Sequence, residues 1–414
     1  MPRLGDIMGT FRALAVVLLA AAGLFAPRPL SAEPSAKRYI ISFKPEATRA
    51  ERQEALRALG VNAVDSLDEF GALVGEVPGD RFTSLSDDAV AVPAVDQIEE
   101  DVEIDWLKGV DVQGAQLPSL GAIREQIPSF KKADETPYPL PAGVQASEVP
   151  WGIARVRAPF AWPRTQGQGV RVAVIDTGID LNHPDLKANI AGGYNALDPK
   201  APPQDDNEHG THVAGTIAAI WDGNGVVGVA PKARLYAVKV LNKDGRATLT
   251  SIIKGLIWCA QNNIQVANMS LGSPIGSIFM RLAVNYAHDH GVVLIAAAGN
   301  NGKFVEYPGG YDNVIAVAAS DVHDKIADFS SRGAKVEFIA PGVDVKSTVP
   351  GGYATFSGTS MATPHVTGLA ALAIAQGASG LDGVRAALHR AAGSIGLPRE
   401  QQGFGLIDAA KITR

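Results

Sequence analysis

Gly358-Thr359-Ser360-Met361-Ala362-Thr363-Pro364-His365 is the last of three short segments that stand in the order Asp, His, Ser along this chain. The other two are Val174-Ile175-Asp176-Thr177-Gly178 and His209-Gly210-Thr211-His212-Val213-Ala214-Gly215. A serine hydroxyl is a poor nucleophile at neutral pH. It needs an imidazole to take its proton, and the imidazole needs a carboxylate to fix its tautomer and stabilise its cation. Asp176 ends an apolar run and enters a glycine turn, the sort of place at the carboxyl edge of a parallel sheet where ligands bind. On its own, Asp-Thr-Gly is a common turn. His209 and His212 open a small-residue helix, at a spacing that does not fit a His-Glu-x-x-His zinc site. Ser360 stands at a helix start, where free N–H groups and the positive dipole end suit a developing oxyanion. By position alone it reads first as an N-cap serine.

All three segments in one chain, in register with Asn300 in Ala297-Ala298-Gly299-Asn300-Asn301-Gly302, resemble the subtilisin-like serine proteases (subtilases). The resemblance covers roughly residues 149–412. It implies that Asp176 orients the imidazole, that His209 is the general base with His212 a packing neighbour, and that Ser360 is the nucleophile. It further implies that the Asn300 amide and the Ser360 backbone N–H form an oxyanion hole. Met361 adjoins the nucleophile, so its oxidation to the sulfoxide would crowd the site.

The rest of the chain reads as an α/β protein with a three-layer, subtilisin-like fold and a mostly parallel central sheet. Residues 170–175, 234–240, 266–269, 292–297, 314–318 and 336–339 are apolar runs suited to strands covered on both faces. Helical patterns fall at 210–220, 248–263, 276–289 and 361–376.

Upstream, residues 37–44 read as a strand and residues 50–59, closed by Gly60, as a charged amphipathic helix. Residues 71–78 read as a second strand, 82–89 as a further helix, and 95–106 as a stretch ending in an acidic strand. The β-α-β-β-α-β order suggests a small α+β, ferredoxin-like module. It resembles the subtilase propeptide, an intramolecular chaperone and inhibitor, best at Tyr39-Ile40, Glu76-Val77-Pro78 and Ile98-Glu99-Glu100-Asp101. Residues 108–148, with prolines at 118, 128, 137, 139 and 141, read as a linker. In subtilisins the propeptide runs almost directly into the catalytic domain, so this segment is a departure.

Residues 1–32 have the form of a secretory signal, with Arg3 and Arg12 ahead of an apolar run at 13–26 and small residues at Ser31, Ala32 and Ala36. That run is shorter than the roughly 20 residues needed to span a bilayer. The expected organisation is therefore signal peptide (1–32), propeptide (33–107), linker (108–148) and catalytic domain (149–414). The expected product is a secreted, extracellular monomer, with the periplasm as an alternative compartment. The 414 residues carry a net charge of −6 and no basic stripe, which argues against a nucleic-acid partner. The one cysteine, Cys259, lies in an apolar helical pattern and reads as a buried structural thiol.

Two segments resemble substrate-binding edges. Gly245-Arg246-Ala247 and Ser270-Leu271-Gly272 would flank an extended polypeptide and add it as a strand between them. The resemblance also implies a structural calcium ion, with Asp185, Ile220, Asp222, Asn224 and Val226 as ligands, and no cofactor for catalysis. The family's first calcium ligand is usually a glutamine; the matching position here is Ser147, with Gln145 close by. Aligned from Tyr307-Pro308-Gly309, Glu306 takes a place usually held by glycine at the floor of the primary specificity pocket, with Asn301 at its rim. A carboxylate in a partly dry pocket favours a cationic side chain, so cleavage after Lys or Arg is expected beside the large apolar residues. The alternative is that the loop from Asn300 to Tyr307, several residues shorter than the family's common form, turns Glu306 outward into solvent.

The implied activity is that of a secreted serine endopeptidase, made as a zymogen inhibited by its own propeptide. Two other readings compete: a catalytically silent, binding-only relative and a membrane-anchored processing enzyme. The joint survival of Ser360, His209 and Asn300 speaks against the first.

Overall fold

The computed structural model describes residues 36–77, 92–109 and 137–412. The expected signal peptide, the expected helix at 82–89 and most of the expected linker lie outside the described residues.

The N-terminal strands are β1 (Lys37–Phe43), β2 (Asn62–Leu67), β3 (Ala72–Val77) and β4 (Val95–Glu100), with α1 (Arg49–Leu59) between the first two. Thr48 and Glu51 form a reciprocal capping box at the start of α1, and Gly60 ends it in the left-handed conformation at φ 65°. The sheet order is β2-β3-β1-β4, with every pair antiparallel. Its described parts have the expected β-α-β-β order followed by a last strand. Strand β2 was passed over in the sequence because it is largely exposed and so lacks an apolar run. The single acidic strand expected at 95–106 is two strands. The chain leaves the small sheet at Asp101, and β5 (Glu103–Asp105) pairs elsewhere.

The large sheet is built from β6 (Arg171–Asp176), β7 (Ile190–Asn195), β8 (Arg234–Lys239), β10 (Val266–Met269), β11 (Val293–Ala297), β12 (Val314–Ser320), β13 (Val336–Pro341), β16 (Ala392–Gly393) and β17 (Leu406–Ile407). A short strand, β9 (Arg246–Thr248), pairs with β5, and β14 (Val345–Val349) forms a hairpin with β15 (Gly352–Phe356). The large sheet runs β16-β17-β13-β12-β11-β10-β6-β8-β7, and all neighbours are parallel except β16 and β17.

Helices cover both faces: α2 (His209–Ala218), α3 (Leu249–Gln261), α4 (Ile278–Asp289), α5 (Thr359–Ala375) and α6 (Gly380–Ala391). Alternate residues of β6 serve the two layers. Val172 and Val174 pack with α2 and α5, whereas Ala173 and Ile175 pack with α3 and α4. Every residue from Thr359 to Ala373 is buried, which marks α5 as the central helix of its layer. The strands and helices expected from residue 170 onward form, with ends shifted by one or two residues. Strand β7 and the β14–β15 hairpin were not foreseen in the sequence.

Strand β6 lies where the chain's path reverses, with β8 on one side and β10 on the other. Its carboxyl end carries Asp176 to the crevice that such a switch point opens.

The later part of the expected linker does not behave as one. Tyr138 donates its hydroxyl to the Val322 carbonyl at 2.6 Å and stacks on Trp151, while Leu140 and Val144 pack against the main core. Prolines at 137, 139 and 141 prevent regular structure but not burial of the side chains between them. No described helix is long and apolar enough to cross a membrane.

Candidate active site

Asp176 is fully buried, and both its carboxylate oxygens face His209 Nδ1, at 2.8 and 3.0 Å. The contact rests on close backbone approach. A Cβ on Gly210, directly after His209, would stand 2.1 Å from the Gly178 carbonyl oxygen. The sequence reading missed the residue that ties the two segments together. Buried Asp205 accepts from the Thr177 hydroxyl at 2.8 Å and from the N–H groups of Asn207, Glu208 and Thr211. Thr177 in turn accepts from Gly210 N–H at 2.9 Å. Asp205 thus binds the turn after β6 to the first turn of α2, and it favours the free N–H groups there.

His209 Nε2 is buried and has no hydrogen-bond partner. Ser360 is buried at the first turn of α5, and its hydroxyl donates to the Ser270 carbonyl at 3.1 Å. Proline 364 has no N–H to close the helical bond to the Ser360 carbonyl. The Ser270 hydroxyl takes that place, donating to Ser360 O at 2.7 Å. Ser270 is held by Asn268 Nδ2 at 2.9 Å, and Asn268 Oδ1 accepts from the Thr367 hydroxyl at 2.9 Å.

Asn300 follows β11. Its Oδ1 accepts both Thr359 N–H and Thr359 Oγ1 at 2.9 Å, which fixes the amide and leaves its NH2 group as the outward donor. Thr359 was not singled out in the sequence, although its place beside Ser360 was the available signal. His212 and His365 are both neutral. Burial lowers the first to about 3 and the second to about 4, and His212 donates Nε2 to the Val345 carbonyl while stacking on Phe356. Cys259 is buried, and burial alone pushes its thiol far up, as suits a structural residue.

The two expected edges frame a groove, and the chain's own residues lie in it. Glu103, Ile104 and Asp105 pair antiparallel with Thr248, Ala247 and Arg246. Trp106 donates its backbone N–H to Gly245 O at 3.1 Å and its indole to Ala247 O at 3.1 Å. Its carbonyl accepts Gly272 N–H at 3.1 Å, so Trp106 bridges both edges. Further on, a Cβ on Gly109 would lie 3.1 Å from Asn300 Cβ. Two acidic side chains of the N-terminal region meet helix starts of the large domain, while Asp65 and Glu69 reach Lys254 and Gln261 of α3. Asp101 accepts from Thr250 N–H and Oγ1 at 2.9 and 2.8 Å, at the start of α3. Glu99 Oε2 accepts from Ser277 Oγ, Ile278 N–H and Phe279 N–H, at the start of α4. A single carboxylate thus serves each helix N-terminus, where free N–H groups and the dipole favour it.

Glu306 points inward rather than to solvent. A Cβ on Gly272 would fall 2.6 Å from its Oε2, and one on Gly299 2.7 Å. Its Oε1 accepts Asn301 Nδ2 at 2.9 Å, and burial raises its carboxyl above the usual range.

Around the expected calcium loop, Asp185 Oδ2 accepts from Val226 N–H and the Tyr353 hydroxyl, both at 3.0 Å. The Asp185 carbonyl accepts Ile220 N–H at 2.9 Å. Asp222 and Asn224 close the loop tip on each other. Ser147 and Gln145 are exposed, and it is Glu148 that turns in. Its Oε1 accepts Asp222 N–H at 2.9 Å, while its Oε2 is buried without a partner. Burial raises the Glu148 carboxyl, and the nearby charges of Asp222 and Asp185 raise it further. Among the described residues, no three His, Cys, Asp or Glu side chains converge closely enough to hold a metal ion by themselves. Backbone carbonyls of the loop would have to complete any such shell.

A parallel α/β sheet with a buried Asp–His pair at its switch point, a serine at a helix start and an amide donor beside it defines a serine hydrolase. Residues 167–405 match the model of the subtilase family. The chain is 50% identical over 273 residues to subtilisin BL of Lederbergia lenta, covering 65% of this chain and all of that protein. It is 41% identical over 388 residues to an alkaline protease of Shouchella clausii, covering 93% of each, and 48% identical over 239 residues to subtilisin E of Bacillus subtilis (strain 168), covering 56% of this chain and 62% of that protein. The chain belongs to the subtilase family, and it is a serine endopeptidase of the subtilisin type.

Proposed function

We propose that Ser360 is the nucleophile of this endopeptidase, His209 its general base and Asp176 the group that orients and stabilises the imidazole. The unpartnered Nε2 of His209 carries this reading. Its Nδ1 is committed to Asp176, so the buried Nε2 is the only place the ring can accept a proton. In this reading Nε2 takes the proton of the Ser360 hydroxyl once that hydroxyl leaves the Ser270 carbonyl. The alkoxide then attacks the scissile carbonyl, and the developing oxyanion receives the Asn300 amide and the Ser360 N–H. The imidazolium returns its proton to the leaving amine, and water repeats the sequence on the acyl-enzyme.

Polypeptide substrates would bind as a strand between Gly245, Arg246 and Ala247 on one edge and Ser270, Leu271 and Gly272 on the other. Residues 103–107 already take that position, and this supports residues 33–107 as a propeptide that inhibits its own enzyme. In this reading the chain cuts itself between Asp105 and Gly109, where it passes Asn300, and is later trimmed toward Ser147 across the 108–148 segment. The catalytic domain is then 149–414. Residues 1–32 direct it out of the cell, where it acts as a monomer. A structural calcium ion would be held by Asp185 and Glu148 with the carbonyls and side chains of Ile220, Asp222, Asn224 and Val226. The buried, unpartnered Glu148 oxygen fits such an ion, which would neutralise the local carboxylates and stiffen the loop.

Intact mass of the purified protein, with and without Ser360→Ala, tests the reading. The active chain should lose its first hundred or so residues and the variant should keep them. Normal maturation of the variant expressed alone would overturn it.

A further inference from the structure

Glu306 is a half-buried carboxylate beside the proposed reaction centre for which the mechanism has no use. It lies between two strips of backbone, Ser270 to Gly272 and Ala298 to Asn300. Each strip is bare where it faces the carboxylate, because Gly272 and Gly299 have no side chain; a Cβ on either would come within 2.7 Å of Oε2. The place is rigidly built. Glu306 N–H donates to Ala298 O at 2.8 Å, and Ser273 and Tyr307 exchange two backbone bonds of 2.8 Å. Asn301 holds Oε1, and its own Oδ1 accepts from Lys303 and Phe304 N–H. The carboxylate is therefore positioned by the fold and not by a wandering loop.

Its location relative to a bound chain follows from the segment that lies in the groove. Gly272 N–H holds the Trp106 carbonyl, and Asn300 borders Gly109. A peptide passing from Gly272 to Asn300 crosses the mouth of the cleft between the two strips. In this register the side chain just before the bond opposite Ser360 would enter that cleft, toward Glu306. Among the described residues Glu306 makes no ion pair, and its single side-chain partner is a neutral amide.

We propose that Glu306 is a specificity-determining residue that makes this endopeptidase cut after Lys and Arg. This rests on the groove and nucleophile assigned above. A long aliphatic stem can lie along the two glycine strips while its cationic head meets the carboxylate at the floor. The attraction is stronger than in water because the site is partly dry, and the desolvation of Glu306 has already been met in the fold. Burial of that carboxyl, which raises its pKa, is consistent with a group lacking its counter-ion. An acidic side chain before the bond would meet like charge and be rejected.

The test is a series of peptide anilides that differ only in the residue before the bond: Lys, Arg, Leu, Phe and Glu. Wild type, Glu306→Gln and Glu306→Asp are compared, each normalised to active sites titrated with a serine-directed phosphonate. Wild type should cut Lys and Arg peptides at least as fast as Leu and Phe peptides. Glu306→Gln, which keeps shape and the Asn301 bond, should lower the Lys-to-Leu ratio of kcat/KM by about tenfold or more, with Glu306→Asp between. The proposal is overturned if wild type cuts Lys and Arg peptides far more slowly than Leu and Phe ones, or if the ratio is the same in Glu306→Gln. Cleavage of Leu peptides without that preference removes this proposal alone. Failure to cut any of them, with no phosphonate on Ser360, removes the protease assignment beneath it.

Discussion

Ser270 and Ser360 exchange two hydrogen bonds: the Ser270 hydroxyl donates to the Ser360 carbonyl at 2.7 Å, and the Ser360 hydroxyl donates to the Ser270 carbonyl at 3.1 Å. The first exists because Pro364 leaves that carbonyl without a helical partner. One residue of the groove edge is thereby locked to the proposed nucleophile. Ser270→Ala should cost about 1–3 kcal/mol of stability, since it orphans a buried carbonyl. Urea unfolding of the Ser360→Ala background, which cannot digest itself, measures this cleanly; a change under a few tenths of a kcal/mol would mean the carbonyl finds another donor.

Ser360→Ala itself should reduce kcat by about 10⁶-fold, a figure that comes from the same residue in a subtilisin and is borrowed here from a relative. The residual rate against a peptide anilide, measured on protein free of wild-type contamination, checks it. A loss of less than tenfold would place the nucleophile elsewhere.

Asn300→Ala should lower kcat with little change in KM, by about 2.7–4 kcal/mol of transition-state energy; that range too was measured on a subtilisin. Thr359→Val should act in the same direction more weakly, by about 1 kcal/mol, because it removes one of the two bonds that hold Asn300 Oδ1 but spares the amide donor. Steady-state kinetics on one anilide decide it. A Thr359→Val effect confined to KM would show that Thr359 serves binding rather than the oxyanion.

Docking of the N-terminal sheet should weaken as pH rises. Burial raises the Glu99 carboxyl above its ordinary value, outweighing the bonds from Ser277, Phe279 and Ile278, and Asp101 nearby acts in the same sense. A group whose docked pKa lies above its free value favours docking below the free pKa. That contribution is lost as pH rises through the raised value. Inhibition of the matured enzyme by residues 37–107 should therefore relax over the pH range just above that of free carboxylates, and Glu99→Gln should flatten the change. An inhibition constant that tightens steadily with pH in wild type would contradict the sign.

Chelation should destabilise the protein, and the effect should grow with pH. In the folded chain Glu148 is raised by burial and by Asp222 and Asp185. Without a cation, stability from this group is present below the unfolded carboxylate pKa and is lost as pH rises through the folded one. Bound calcium would cancel that loss. Thermal unfolding of the Ser360→Ala protein with calcium and with chelator, at two pH values, should show a gap that widens at the higher pH and shrinks in Glu148→Gln. Equal melting temperatures with and without calcium would leave the loop as an ion-free turn.

Much of this molecule is legible along the chain. The strands at 171–176, 266–269 and 293–297 are short apolar runs buried on both faces, which is the pattern a parallel sheet demands. Helix α1 announces itself by Thr48, Glu51 and Gly60 within thirteen residues. The exposed strand β2 and the two-residue strands β16 and β17 carry no such period, because their place in a sheet is decided by partners and not by their own faces.

The same division runs through the site. Sequence alone picks out Asp176, His209, Ser360 and Asn300 as candidates, since each stands in a local motif whose backbone, a strand end, a helix start or a glycine turn, is set by neighbours a few positions away. Only tertiary structure decided that Asp205 ties Thr177 to Thr211, that Thr359 fixes Asn300, that Glu148 and not Ser147 faces the loop at Asp222, that Trp106 lies between Gly245 and Gly272, and that Glu306 turns inward. Those facts depend on pairs as far as 166 positions apart, such as Trp106 and Gly272. Periodicity and propensity act over one or two turns of chain, whereas such contacts exist only once the sheet has closed and packing has chosen which side chains share the interior.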